Sequence, residues 1–390
     1  MAHWWQKPRL RRDAELGVHR KATWLELFYD LIFVVIVAQL AHTLVGEVGW
    51  SDVGAYLLMF VPAWWLWIAG TFYAERFEHD DISHRIMVFV SMFPVAALAL
   101  FTHHGTGETS AEFALAYAAG RVLVVFSWWR GGVHDPEARR MTQVYVRGFS
   151  AAVAVVIASV FLPLPWRLVA WGAALAIDLA TPFFSIAAQR DLPKLSMSHL
   201  GERFGLFTLI VIGESVVGVV QGLASSSELS WWGLAEAALG MTIAFSMWWI
   251  YFDAVEPRAP RRRMGFARSY LHLPLVMALA ATGAAITNVV SHPGAVLPAA
   301  TRALMCGAIA TSALALAALS LVVRASPAVA SAARVLQGIL IAVALAGVAL
   351  ARFGGALGPG TILAILAAGL LAAVVVASVM RHRDASRAAH

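Results

Sequence analysis

The chain has 390 residues, 60% of them hydrophobic and 13% charged, with a formal net charge of +6 and a mean hydropathy of +0.73. One water-soluble core cannot bury that much apolar surface, so a soluble globular protein is excluded. The basic excess sits at helix ends and forms no continuous stripe, which argues for membrane topology and against nucleic-acid binding.

The first 23 residues form a basic tail carrying Lys7, Arg9, Arg11, Arg12, Arg20 and Lys21, with Trp4 and Trp5 among them. The apolar run that follows is span-length and opens with Glu26 and Asp30, which does not suit a cleaved signal peptide. The tail reads as a cytosolic, headgroup-facing anchor. A helix rises about 1.5 Å per residue, so about 20 apolar residues cross roughly 30 Å of hydrocarbon. This length predicts spans at 24–45, 52–75, 82–103, 109–129, 144–162 and 166–188, then at 200–222, 231–253, 268–291, 300–323, 330–352 and 361–380. The fold class is therefore an all-α polytopic membrane bundle of about 12 transmembrane helices.

Alternate joints carry the arginines, among them Arg76 and Arg85, Arg139 and Arg140, Arg190, Arg261 to Arg263, Arg324 and Arg381. By the positive-inside rule both termini, including a basic tail at 381–390, are expected in the cytosol of a bacterial plasma membrane. Three features recur in the same order along the chain. Glu26-x-Phe28 is matched by Glu202-x-Phe204, Pro94 by Pro274, and Gly120-Arg121-x-Leu123 by Thr301-Arg302-x-Leu304. They suggest two parallel six-helix repeats, at 24–190 and 195–380, with a cavity between them.

Ionisable residues inside a span need a partner, water or a purpose. Glu214 lies about 18 Å into span seven, near the midplane. Arg203, Phe207, Glu214, Gly218 and Gln221 share one face of that helix, which is expected to look inward. Arg121 in span four and Asp178 in span six are also deep. Either they set the proton affinity of Glu214 or they pair and lock helices together. A second cluster, Glu26, Asp30, Asp253, Tyr270 and His272, is expected to form a cytosolic vestibule. Nearby Asp80 and Asp81 are the candidate metal ligands, suited to Mg²⁺. The single cysteine, Cys306, lies in an apolar run and reads as packing. No Walker loop, dinucleotide glycine motif or nucleophile elbow is found in the sequence.

Several stretches resemble the low-temperature-requirement protein A family of bacterial membrane proteins. They are LELFYDLIFV at 25–34, RFEHDD at 76–81 with Arg85, ERFGLFTLIVIGES at 202–215, WWIYFD at 248–253 and YLHLP at 270–274. The resemblance implies an integral membrane protein with a part in growth in the cold, and brings no catalytic residues with it. Three functions stay open. The first is a channel or secondary transporter for an ion or small solute, with Glu214 at its midpoint and the Asp30–His272 region as its mouth. The second is an enzyme acting on a lipid or isoprenoid at the cytosolic face, with Asp80, Asp81, Asp30 and His272 around Mg²⁺. The third is a sensor of bilayer state or a scaffold. The first and third need no cofactor; the bilayer is the common partner, and oligomerisation is left open.

Overall fold

A computed structural model of the chain describes residues 4–12, 21–46, 48–78, 81–226, 229–258, 265–327 and 329–388. Among them twelve helices are long and apolar enough to cross a membrane. They are α1 (Trp24–His42), α2 (Trp50–Arg76), α3 (Ile82–Leu100), α4 (Ser110–His134), α5 (Arg139–Ser159) and α6 (Trp166–Phe184). After these come α7 (Met197–Ser225), α8 (Trp231–Ala254), α9 (Gly265–Ser291), α10 (Ala299–Val322), α11 (Ala330–Phe353) and α12 (Pro359–Ala388). A short ladder joins β1 (Arg9–Leu10) to β2 (Phe77–Glu78), antiparallel, with Leu10 opposite Phe77. Every expected span is a helix. The largest differences are α12, which runs eight residues past 380, α4, which runs five past 129, and α5, which starts five before 144. All three extensions carry arginines, and a helix continues beyond the hydrocarbon wherever its backbone bonds are kept.

Large apolar side chains such as Phe93, Leu345 and Val375 are exposed on the helices. In water such faces would drive aggregation; facing lipid they cost nothing. The chain is a multi-pass membrane protein. Because lipid tails are as apolar as leucine, its helices are held by close packing and by hydrogen bonds between them.

The chain divides into two compact units, residues 1–40 with 55–203, and residues 41–54 with 204–390. In the first, α4 packs on α3 and α5, and α5 on α6. Trp64 and Trp67 of α2 are fully buried there. In the second, α10 packs on α9 and α11, and α12 on α8 and α11. A Cβ on Gly283 of α9 would lie 3.1 Å from the backbone of Ser215, and one on Gly218 of α7 would lie 2.9 Å from the Gly283 carbonyl. The two helices therefore cross backbone against backbone. Asn288 of α9 fastens the turn after α1: its Oδ1 accepts from the Gly46 N–H at 2.7 Å and its Nδ2 donates to the Leu44 carbonyl at 2.8 Å. Gly46 supplies the left-handed backbone that this turn requires, with φ at 96°.

Candidate functional site

The site in the first unit begins with a helix cap. Thr23 Oγ1 accepts from the Glu26 N–H at 3.3 Å, and Glu26 Oε2 accepts from the Thr23 N–H at 2.8 Å. This reciprocal pair is a capping box, and it satisfies donors at the start of α1 that would otherwise be orphaned. It also fixes the Glu26 carboxylate, with Asp30 one turn further along the same face. On α7, His199 and Arg203 have the same four-residue spacing, so each helix presents two ionisable groups on one face.

The two faces meet. Arg203 grips Asp30 in a fork, Nη2 donating to Oδ1 at 2.6 Å and Nε to Oδ2 at 3.1 Å. Its Nη1 stands 3.4 Å from Glu26 Oε1. The Trp67 indole N–H donates to the same Asp30 Oδ1 at 2.7 Å. His199 lies between two carboxylates, its Nδ1 2.6 Å from Glu75 Oε2 and its Nε2 3.5 Å from Glu26 Oε2. Glu75 is held in turn by the Ser196 N–H, which donates to its Oε1 at 2.6 Å. Glu26, Asp30, Glu75, His199 and Arg203 are all buried. Partners on every side make that burial tolerable; a lone charge there would be costly.

This network opens onto a cavity of about 70 Å³. Its charged and phenolic groups come from Glu26, Tyr29, Tyr73, Arg130 and Arg203; His84, Ser91 and Ser127 also line it, among apolar side chains such as Met87, Val88, Leu123 and Phe126. Gly70 leaves room for Tyr29, whose hydroxyl would lie 3.2 Å from a Cβ at that position. At the other side of the cavity Arg130 Nη2 donates to the Gln6 carbonyl at 2.7 Å and to Ser83 Oγ at 3.2 Å, and its guanidinium lies 4.0 Å from the centre of the Trp5 ring. Arg130 is 4.0 Å from Asp81.

Asp81 is the N-cap of α3, accepting from the His84 N–H at 3.0 Å, the Ser83 hydroxyl at 2.6 Å and the Gln6 N–H at 2.7 Å. Burial works to raise its proton affinity. The three hydrogen bonds and the Arg130 charge outweigh that and hold the carboxyl below its ordinary value. With its oxygens taken up in this way, Asp81 is a cap rather than an open metal ligand. Asp80 lies outside the described residues. Among the described residues no group of three or more His, Cys, Asp or Glu side chains is arranged to hold a metal ion.

The remaining expected residues fall into separate settings. Arg121 pairs with Asp178 at 2.6 Å, Tyr117 donates to the other Asp178 oxygen at 2.6 Å, and the guanidinium lies 4.1 Å from the centre of the Phe149 ring. All three are buried, so of the two arrangements left open by the sequence this is the helix-locking pair. Glu214 is half-buried on α7, with His42 at the end of α1 as its electrostatic neighbour. On the face expected to look inward, Arg203, Phe207 and Gly218 are buried but Gln221 is exposed, because α7 outgrows its packed stretch near its end.

In the second unit His272 is buried. Its Nε2 is 2.9 Å from the Tyr251 hydroxyl, its Nδ1 2.6 Å from the Arg268 carbonyl, and its ring stacks on Phe204. Tyr270 is half-buried on α9. Asp253 accepts from the Trp249 indole at 2.7 Å and from Arg381 at 2.5 Å. Arg258 reaches from the Asp253 carbonyl to Asp384, tying the end of α8 to α12.

Glu26, Asp30 and Arg203 are among the residues expected from the sequence; His199, Trp67 and the inward turn of Glu75 are not. The available signal was the matching four-residue spacing of Glu26 with Asp30 and of His199 with Arg203.

A family model described as Bacterial low temperature requirement A protein (LtrA) matches residues 21–380. An uncharacterized protein of Rhizobium meliloti (strain 1021) is 26% identical over 300 residues, covering 70% of this chain and 70% of that one. The matched residues take in all twelve spans almost whole, from the start of α1 into α12. The chain belongs to the bacterial low temperature requirement A family.

Proposed function

We propose that this protein is a secondary transporter or channel for an ion or small solute, with the cavity beside Glu26 and Arg203 as its binding site. The observation that carries this reading is a buried cluster of ionisable groups that opens onto a cavity lined by both polar and apolar side chains. Intramembrane charges concentrate at substrate and ion pathways, and pockets with a few convergent polar groups are the usual binding sites. The arginine pattern of the joints supports cytosolic termini in a bacterial plasma membrane. The recurring Glu-x-Phe, proline and arginine motifs support descent from a six-helix duplication. The family's description supports a part in growth at low temperature. The metal-dependent lipid enzyme loses ground, since Asp81 is committed to capping α3.

Purified protein in liposomes loaded with dyes for H⁺, K⁺, Na⁺ or Cl⁻ tests the reading. Flux above that of empty liposomes, reduced at least tenfold in Arg203→Lys with folding retained, is the expected result. Flux no greater than the empty-liposome leak for all four ions and for a panel of small solutes removes it. A gene deletion that leaves growth in the cold unchanged removes the link to temperature.

A further inference from the structure

We infer that His199 is a proton-binding site that passes protons between the cavity and Glu75, so that the coupled ion of this protein is H⁺. The inference rests on the transport reading of the cavity and names its ion. The imidazole is fully buried, and the groups that face it are Glu26 from α1, Glu75 from α2 and Arg203 from its own helix, with Asp30 behind Arg203.

An imidazole is the side chain that ordinarily changes charge between about pH 5 and 8. Here each ring nitrogen has its own carboxylate, at 2.6 Å on the Glu75 side and 3.5 Å on the Glu26 side. The neutral ring, protonated on Nδ1, donates to Glu75. Protonation of Nε2 adds a charge directly beside Glu26, which also lines the cavity. A proton on Glu26 Oε2 moves to His199 Nε2 as the longer gap closes, giving an imidazolium between two carboxylates. The Nδ1 proton then moves to Glu75 Oε2. One proton has entered at the cavity and one has arrived at Glu75, with the ring neutral again in its other tautomer. Glu75 is held in register by the Ser196 N–H, and Arg203 keeps Glu26 aimed at the ring.

Infrared difference spectra of the reconstituted protein, titrated from about pH 4 to 9, test the site without requiring transport. The expected result is an imidazole band coupled to a carboxylate band in the wild type. His199→Gln loses both, and Glu75→Gln, which preserves side-chain shape, keeps the imidazole band at a shifted midpoint. Spectra of the wild type and of folded His199→Gln that coincide over the whole range overturn the inference, as does a Glu75→Gln midpoint that does not move. Solute flux indifferent to an imposed pH gradient also overturns it and leaves the transport reading standing. A titration that depends on His199 in a protein passing no solute keeps the proton site and removes that reading.

Discussion

Arg203 and Asp30, 173 residues apart in the chain, are joined by two hydrogen bonds, and both side chains are buried. Removing one member leaves the other charge without its compensation. Asp30→Asn and Arg203→Met should each destabilise the protein by about 3–5 kcal/mol, whereas Asp30→Leu combined with Arg203→Met should be nearer the wild type than either. Unfolding in mixed micelles, followed by tryptophan fluorescence, gives the comparison. Additive losses in the double variant would contradict a direct pairing.

Tyr117 donates to Asp178, and both side chains are buried. Tyr117→Phe keeps the ring and removes only the hydroxyl, so it should cost about 1.5–3 kcal/mol, the range for a hydrogen bond to a charged group. The same unfolding assay reads it; a loss below about 0.5 kcal/mol would mean that the Arg121–Asp178 pair holds its place without the tyrosine.

The crossing of α7 and α9 depends on two missing Cβ atoms. Gly283→Ala presses a methyl against the Ser215 backbone and Gly218→Ala presses one against the Gly283 carbonyl, neither of which can swing aside. Each should cost about 1–3 kcal/mol by overpacking, with a lowered thermal midpoint. Gly172→Ala, where a Cβ meets nothing within 4 Å, is the control and should match the wild type or exceed it slightly.

Asp81 provides a pH dependence with a definite sign. Its carboxyl is held below the ordinary value of 3.8, so the folded protein favours the ionised form. The stabilisation is complete above that value and is lost as the pH falls through the lower folded value. Asp81→Asn should therefore narrow the stability difference between pH 6 and pH 3 (about one cap's worth, 0.5–2 kcal/mol) and have its smallest effect at the acid end. Thermal midpoints of the two proteins across that range decide it. Curves that stay parallel down to pH 3 would show that the cap does not titrate.

The twelve spans were legible because length and hydropathy alone dictate them; Asp81 draws a metal-ligand expectation from its acidic neighbours, whereas its place directly before α3 makes it a cap. The partners were not legible. Glu26 to Asp30 and Arg203 to His199 announce two polar helix faces, but sequence spacing does not say which faces meet. Glu75 is the final residue of the span expected at 52–75, an end where a charge draws no notice, yet in the last turn of α2 the helix phase turns it inward. His199 lies in the first turn of α7, just before the span expected at 200–222, so it does not stand out as an intramembrane group. Glu214 stood out for its depth, but depth is a property of one helix, whereas the network around Asp30 arises from three.

The amino-terminal strap has a practical consequence. Gln6 reaches Asp81 with its N–H and Arg130 with its carbonyl, so the amide backbone supplies both links, whichever side chain it carries. Most replacements at that position leave the two bonds in place. Proline deletes the donor and spares the acceptor, and peeling the strand away severs both together. A tag or fusion partner pulling on the leading end of the chain thus tugs on the rim of the cavity itself.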